Sequence, residues 1–256
     1  MDFSTLIGLV FGALCIFGAF LLEGGHVEAL VILPALIIVF GGTFAATAIS
    51  FSLEKMRLLP KLVMIALWRR DYQYHEMIAR MTRYSVTARR DGLLALEREL
   101  PEMRDDVFLQ CAMQNLIDGV APEVLRGLLE EEKKYILRRH ALHASIFQKM
   151  GGYSPTMGII GTVLGLIVTM AGAGEAPSEL IRHIATAFIA TLWGIFMANL
   201  VWLPLADKLR FRAEEEALLL DIIIQGIYSI QAGENPAAVH NRLERILPPS
   251  QRTNSW

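Results

Sequence analysis

Four threonines are the groups of this chain best placed to do chemistry away from water: Thr162 and Thr169 in one uncharged apolar run, Thr186 and Thr191 in the next. Their hydroxyls can line a polar path, coordinate a cation or stabilise another chain's carboxylate. Alternatively, each bonds a carbonyl of its own or a neighbouring helix, as buried Ser and Thr commonly do. Both runs also carry residues that a plain lipid anchor does not need. Gly158, Gly161 and Gly165 recur in the first, and Thr186, Ala190, Gly194 and Ala198 follow at four-residue intervals in the second. Such a small-residue stripe predicts close helix approach. Pro155 and Pro204 lie near the charged ends of these runs, as static kinks or as hinges.

What is missing narrows the chemistry. No Asp, Glu, Lys, Arg or His lies inside either run, or inside two further apolar runs near the N-terminus. Proton and ion pathways normally depend on an ionisable group at depth. The chain alone therefore cannot be a carboxylate-based pump; it can supply a polar wall, with the titrating group coming from elsewhere. There is no Walker loop, HExxH, GxSxG or dinucleotide fingerprint, so no catalytic residue, enzyme activity or cofactor is expected. The scattered histidines and the two cysteines, Cys15 and Cys111, make no disulfide framework or metal set.

The elements that must position the threonines are membrane spans. Phe3 to Leu22, Ala29 to Leu53, Gly151 to Gly174 and Ile184 to Ala206 are all uncharged. Each reaches the ~20 residues a spanning helix needs. Seventeen of the 24 Lys and Arg lie between Lys55 and Lys149, and six more follow the fourth run. By the positive-inside bias, both termini and the middle block are cytoplasmic, with two tight hairpins outside. The start, Met1-Asp2, lacks a basic n-region, so no cleavable signal peptide is expected. The expected fold is an all-α integral membrane protein: four transmembrane helices and a cytoplasmic helical domain, with the third and fourth helices extended into the cytoplasm. Along the chain this divides into an outer hairpin (1–53), a cytoplasmic helical domain (54–149), the pair lining the path (150–206) and C-terminal cytoplasmic helices (207–256).

The middle block reads as helices. Asp71 to Arg90 is amphipathic, with Met77, Met81 and Tyr84 at helical spacing. Beyond Gly92 a short helix ends at Pro101; Asp105 to Leu116 follows, and then a helix that starts at Pro122 and runs straight into the third span. The fourth span continues towards Ile230 and ends near Gly233, and a terminal helix starts at Asn235-Pro236 and stops at Pro248-Pro249. The stretch from Arg89 to Glu99 mixes both signs of charge. It is either a solvated surface with weak ion pairs or a contact surface on which charge sets orientation. Glu130 to Lys134 is equally open, and the mixed signs argue against nucleic acid as a partner.

Over nearly its whole length the chain resembles the MotA/PomA family, the A subunit of the bacterial flagellar motor stator. The resemblance rests on the runs Ser154 to Thr162, Ala190 to Gly194, Trp202 to Ala206 and the ARRDGLLALERE stretch. It implies an inner-membrane homopentamer around two MotB/PomB-like B subunits, whose aspartate binds the transported Na+ or H+. Ion passage would then generate torque on the rotor protein FliG. The resemblance places the rotor contact at Arg89 and Glu97, with Arg90 and Glu99 beside them and Glu132 at another charged position. It makes Pro155 and Pro204 the mechanical prolines. Thr162 matches a threonine typical of sodium-type members and Asn199 also looks sodium-like, whereas Ala190 stands where such members commonly carry a second threonine; sodium is favoured. The alternative in the same wider group is an ExbB/TolQ-like energiser of an envelope process, which usually has three spans.

Overall fold

A computed structural model describes residues 3–68, 72–172 and 177–253. Every regular element among them is helical. Helix α1 (Phe3–Leu22) and α2 (Leu33–Ser50) form the N-terminal pair. A short α3 (Leu59–Leu67) follows, then α4 (Tyr74–Asp91), a 3-10 stretch (Leu93–Met103) and α5 (Val107–Ile117). The long α6 (Pro122–Ala171) and α7 (Pro177–Phe196) lead through a π-helical stretch (Met197–Trp202) into α8 (Leu203–Gln231), and α9 (Pro236–Glu244) ends the series. Four segments are long and apolar enough to cross a membrane: α1, α2, and stretches of Pro122–Ala171 and Ser178–Gln231.

The chain forms two compact units. Unit 1 comprises residues 1–69 and 140–211 and carries the apolar spans; unit 2 comprises 70–139 and 212–256 and is rich in charge. Residues 54–69 belong with the spans for a physical reason. Leu59, Leu62 and Ala66 of α3 fall at helical spacing and are buried with Phe147 and Met150 of α6 and Leu205 and Leu209 of α8. Unit 2 has its own core, in which Met77, Met81 and Tyr84 pack with Leu96, Met113, Ile223, Ile227 and Leu243.

Local chemistry sets the helix ends, and some differ from the sequence reading. The second apolar run begins at Ala29, but its helix starts at Leu33, because Pro34 suits a first turn where its missing N–H is not needed. The stretch after Gly92 is 3-10 rather than α and runs through Pro101 to Met103. Asp106 caps α5 by accepting from the Leu109 N–H at 3.0 Å. Asn235 caps α9, which stops at Glu244 and not at the prolines four residues on. The third helix ends at Ala171, and Gly174, like Asp71, lies outside the described residues.

Candidate functional site

The site is a crossing of α6 and α7 close enough that backbone meets backbone. Gly158, Gly161, Thr162 and Gly165 lie on one face of α6, at the i, i+3, i+4, i+7 positions that share a side. A Cβ built on Gly158 would sit 2.9 Å from the Ala190 carbonyl oxygen. On Gly161 it would be 2.6 Å from the Ala190 Cβ, and on Gly165 2.7 Å from the Ala187 Cβ. From the other side, a Cβ on Gly194 would come within 2.7 Å of the Ser154 carbonyl oxygen and 3.2 Å of the Pro155 Cα. Only glycine tolerates these approaches.

On α7, Ala187, Ala190 and Gly194 meet α6 and are buried, and Ala198, in the π-helical stretch beyond, is buried as well. The four-residue stripe expected from the sequence therefore holds at three of its positions and misses at Thr186. Four residues advance a helix by about 400°, so a strict i, i+4 line drifts off one face, and a real contact mixes steps of three and four, as the step from Ala187 to Ala190 does here.

At this crossing two of the four threonines meet. The Thr162 and Thr191 hydroxyls are hydrogen-bonded to each other. The Thr162 Oγ1 also lies 3.1 Å from both the Gly158 and the Ala187 carbonyl oxygens, and the Thr191 Oγ1 lies 3.4 Å from that of Gly158. Two hydroxyls and two carbonyls thus form one oxygen cluster spanning both helices. With only two protons among them, one hydroxyl donates to the other and that one to a carbonyl, and oxygen lone pairs remain. Thr169 and Thr186 do not join the cluster. Each donates to the carbonyl one turn back in its own helix, Thr169 to Gly165 at 2.8 Å and Thr186 to Arg182 at 2.9 Å. Thr186 instead faces a crevice of about 460 Å³ that it shares with Ile38, Gly161, Gly165 and His183.

The carbonyls of Gly158 and Ala187 are the site groups that sequence reasoning missed. Gly158 stands four before Thr162 and Ala187 four before Thr191, so the signal existed, but only the crossing geometry directs both to one point. Trp193 is a further element. Its indole N–H donates to the Leu30 carbonyl at 2.8 Å, and its ring packs beside Phe17, Phe40 and Phe196, which fixes α7 against α1 and α2.

The two prolines differ. Pro155 sits within α6 without interrupting its α-helical course, and its Cα abuts Gly194. Pro204 lies in the first turn of α8, directly after the π-helical stretch. Its ring crowds the carbonyl four residues back and it offers no N–H, and a widened turn relieves both.

The charged candidates lie in unit 2. Arg89 and Arg90 occupy the last turn of α4, where cations suit the helix C-terminus, and Gly92 turns the chain with φ +86°. Arg89 and Glu97 are exposed. Arg90 forms a forked pair with Asp91, at 2.8 Å between Nη2 and Oδ2, and these hydrogen bonds hold the Asp91 carboxyl below its ordinary range. Glu99 is braced by Arg83, which bonds it at 3.2 Å and Glu102 at 3.1 Å. Glu132 is half-buried on α6 beside Lys133, which pairs with Asp221 at 2.6 Å. Among the described residues no group of three or more His, Cys, Asp or Glu could hold a metal.

Comparison with known proteins gives a consistent picture. Residues 6–92 match the profile of the motility protein A N-terminal region, and residues 101–222 that of the MotA/TolQ/ExbB proton channel family. Motility protein A of Bacillus subtilis is 33% identical over 98% of this chain and 93% of its own length. The structure of C. jejuni MotAB contains a chain that superposes with a TM-score of 0.92 at 28% identity, covering 100% of both. The flagellar MotAB stator complex from Bacillus subtilis gives 0.90 at 32% identity over 97% of each chain.

Proposed function

The chain belongs to the motility protein A branch of the MotA/TolQ/ExbB proton channel family, and on that premise we propose that it is the A subunit of an ion-driven flagellar stator of the bacterial inner membrane. A member of this family is a channel subunit rather than an enzyme. The observation that carries the proposal is the Thr162–Thr191 oxygen cluster at a glycine-lined crossing, in spans without a single Asp, Glu, Lys, Arg or His. Proton and ion pathways normally depend on an ionisable group at depth, and these spans hold none, so the carboxylate comes from another chain. A MotB/PomB-like B subunit is that chain, with five A subunits around two B subunits and both A-chain termini in the cytoplasm. The MotAB complexes that this fold resembles support the partnership. The motility-type N-terminal region favours a stator over an ExbB/TolQ-like energiser.

Ion passage turns the A ring, and the charged tip around Gly92 transmits torque to FliG through Arg89 and Glu97, while Pro155 and Pro204 let the long helices bend. Sodium is the favoured ion. Hydroxyl and carbonyl oxygens suit a hard cation, and the cluster gathers four of them. The test is flagellar rotation in cells that depend on this chain, with sodium replaced by potassium at fixed pH. Rotation should stop as sodium is withdrawn. Undiminished speed would assign the motor to protons.

A further inference from the structure

Unit 2 has an open polar groove that none of the preceding chemistry uses. It lies between α8 and the C-terminal part of α9 and holds about 740 Å³. That volume is typical of small-molecule pockets. Asp221 and Gln225, one turn apart, supply the α8 side. Ala238, Asn241, Arg242 and Arg245 supply the other, at i, i+3, i+4 and i+7 on one face of α9 and its cap. Ile246 adds apolar surface.

Charge and hydrogen bonding identify the kind of occupant. Two of the charged groups are already compensated: Arg242 pairs with Glu234 at 2.8 Å, and the Asp221 Oδ1 with Lys133 at 2.6 Å. The Arg245 guanidinium, which is exposed, has no partner among the described residues, so it leaves the groove one uncompensated positive charge. Its planar fork of N–H groups matches the oxygens of a phosphate. Neutral groups stand open as well. Among the described residues the Gln225 and Asn241 amides make no hydrogen bond, and neither does the Asp221 Oδ2.

A bare inorganic anion would use the cation but not the amides, and the Asp221 carboxylate would repel it. A ligand that suits all of these groups carries donors and acceptors on a body larger than its anionic part. A side-chain amide pairs at two points with the N6 and N7 edge of adenine, and a carboxylate oxygen accepts from a ribose hydroxyl. Ala238 and Ile246 offer apolar support to a base. We propose that the α8–α9 groove binds an adenine nucleotide, with its phosphate on Arg245, its ribose at Asp221 and its base edge on the Gln225 or Asn241 amide.

The test titrates AMP into the full-length chain in detergent, reads the heat of binding, and maps backbone hydrogen exchange with and without AMP. One AMP should bind per chain and protect residues 221–225 and 238–246. Arg245→Gln should weaken AMP about ten- to a hundredfold, the weight of a hydrogen bond to a charged group. Adenosine, which lacks the phosphate, should bind weakly and be indifferent to Arg245→Gln, a split that a merely structural role of Arg245 would not produce. Gln225→Leu combined with Asn241→Leu should erase the preference for AMP over GMP. If a variant fails a circular-dichroism check of folding, the wild-type ranking of AMP above GMP, adenosine and inorganic phosphate decides. No heat with millimolar AMP, protection confined to other segments, or phosphate binding as tightly as AMP would each overturn the proposal.

Discussion

The α6–α7 crossing of unit 1 and the core of unit 2 both bring glycine against a neighbour, but the neighbours differ. At the crossing, Cβ atoms on Gly158 and Gly194 would strike backbone, the Ala190 and Ser154 carbonyl oxygens. In unit 2, a Cβ on Gly226 would meet only the Met81 side chain, 2.7 Å from its Cγ and 2.8 Å from its sulfur. The difference follows from the solvent. Between apolar helices in lipid there is no hydrophobic driving force, so association relies on close backbone approach and interhelical hydrogen bonds. A unit surrounded by water gains from burying large side chains, and unit 2 does so with methionine, leucine, isoleucine and tyrosine.

The sharpest way to break this comparison is the same substitution in both places. Gly194→Ala should destabilise the chain by about 3 kcal/mol, since three of its new contacts are backbone and cannot rotate away. Gly226→Ala should cost less, about 1–2 kcal/mol, because the Met81 Cγ and sulfur can shift by side-chain rotation although its Cβ, at 3.2 Å, cannot. Gly152→Ala, where the built Cβ meets nothing within 4 Å, is the control and should be neutral or slightly stabilising. Thermal unfolding in detergent measures all three. Equal losses at Gly194 and Gly226 would remove the distinction.

Removing one hydroxyl probes the other half of the crossing. Thr191→Val keeps the shape but takes away a member of the Thr162–Thr191 pair. Interhelical hydrogen bonds in membranes average about 0.6 kcal/mol, so unfolding should shift by under about 1 kcal/mol. Ion-driven rotation, by contrast, should be lost if the oxygen cluster lines the path. A variant that rotates normally would reduce the cluster to packing.

The two regions were unequally legible in the sequence. Spans, caps and the unit 2 face of Met77, Met81 and Tyr84 follow from hydrophobic period and from single residues such as Asn235 and Pro236, all local signals. The grouping of the threonines was not local. Thr162, Thr169, Thr186 and Thr191 look alike in sequence, and only the crossing decides that Thr162 and Thr191 meet while the other two bond their own helices. The 3-10 course of Leu93–Met103 was also hidden, because the apolar spacing of so short a piece fits either helix type.

A smaller effect is expected where unit 2 ties down its C-terminal segment. Glu244 is buried, which would raise its pKa, but hydrogen bonds from the Thr253 hydroxyl and N–H and from His75 outweigh this and hold it below its ordinary value of 4.5. A carboxylate with a depressed folded pKa contributes stability above its unfolded pKa and loses it as pH falls through the folded one. Wild type should therefore be more stable than Glu244→Gln at pH 7, and the gap should close in acid, as the pH falls through the lowered folded pKa. Unfolding midpoints of both proteins at the two pH values give the answer; a gap independent of pH would assign the contribution to shape rather than charge.

The smallest effect on stability, and the one that most sharpens the contrast, belongs to the charged tip. Arg89 and Glu97 are exposed, whereas Glu99 is held by Arg83 and Arg90 by Asp91. Exposed charges contribute little to folding because water screens them, so Glu97→Lys should leave the unfolding midpoint unchanged. Arg89→Glu should lower stability only by the few tenths of a kcal/mol to about 1 kcal/mol that a cation at a helix C-terminus contributes. If this tip meets the rotor, each reversal should still reduce torque, measured as the load at which a tethered cell stalls. A compensating charge change on the rotor should restore it, since complementary charge sets orientation and encounter rate. Glu99→Lys gives the internal contrast: it also breaks the Arg83 brace, so its loss of torque should come with a shifted midpoint. Tip reversals that lower stability as much as Glu99→Lys would mean that the charges act within unit 2 and not on a partner.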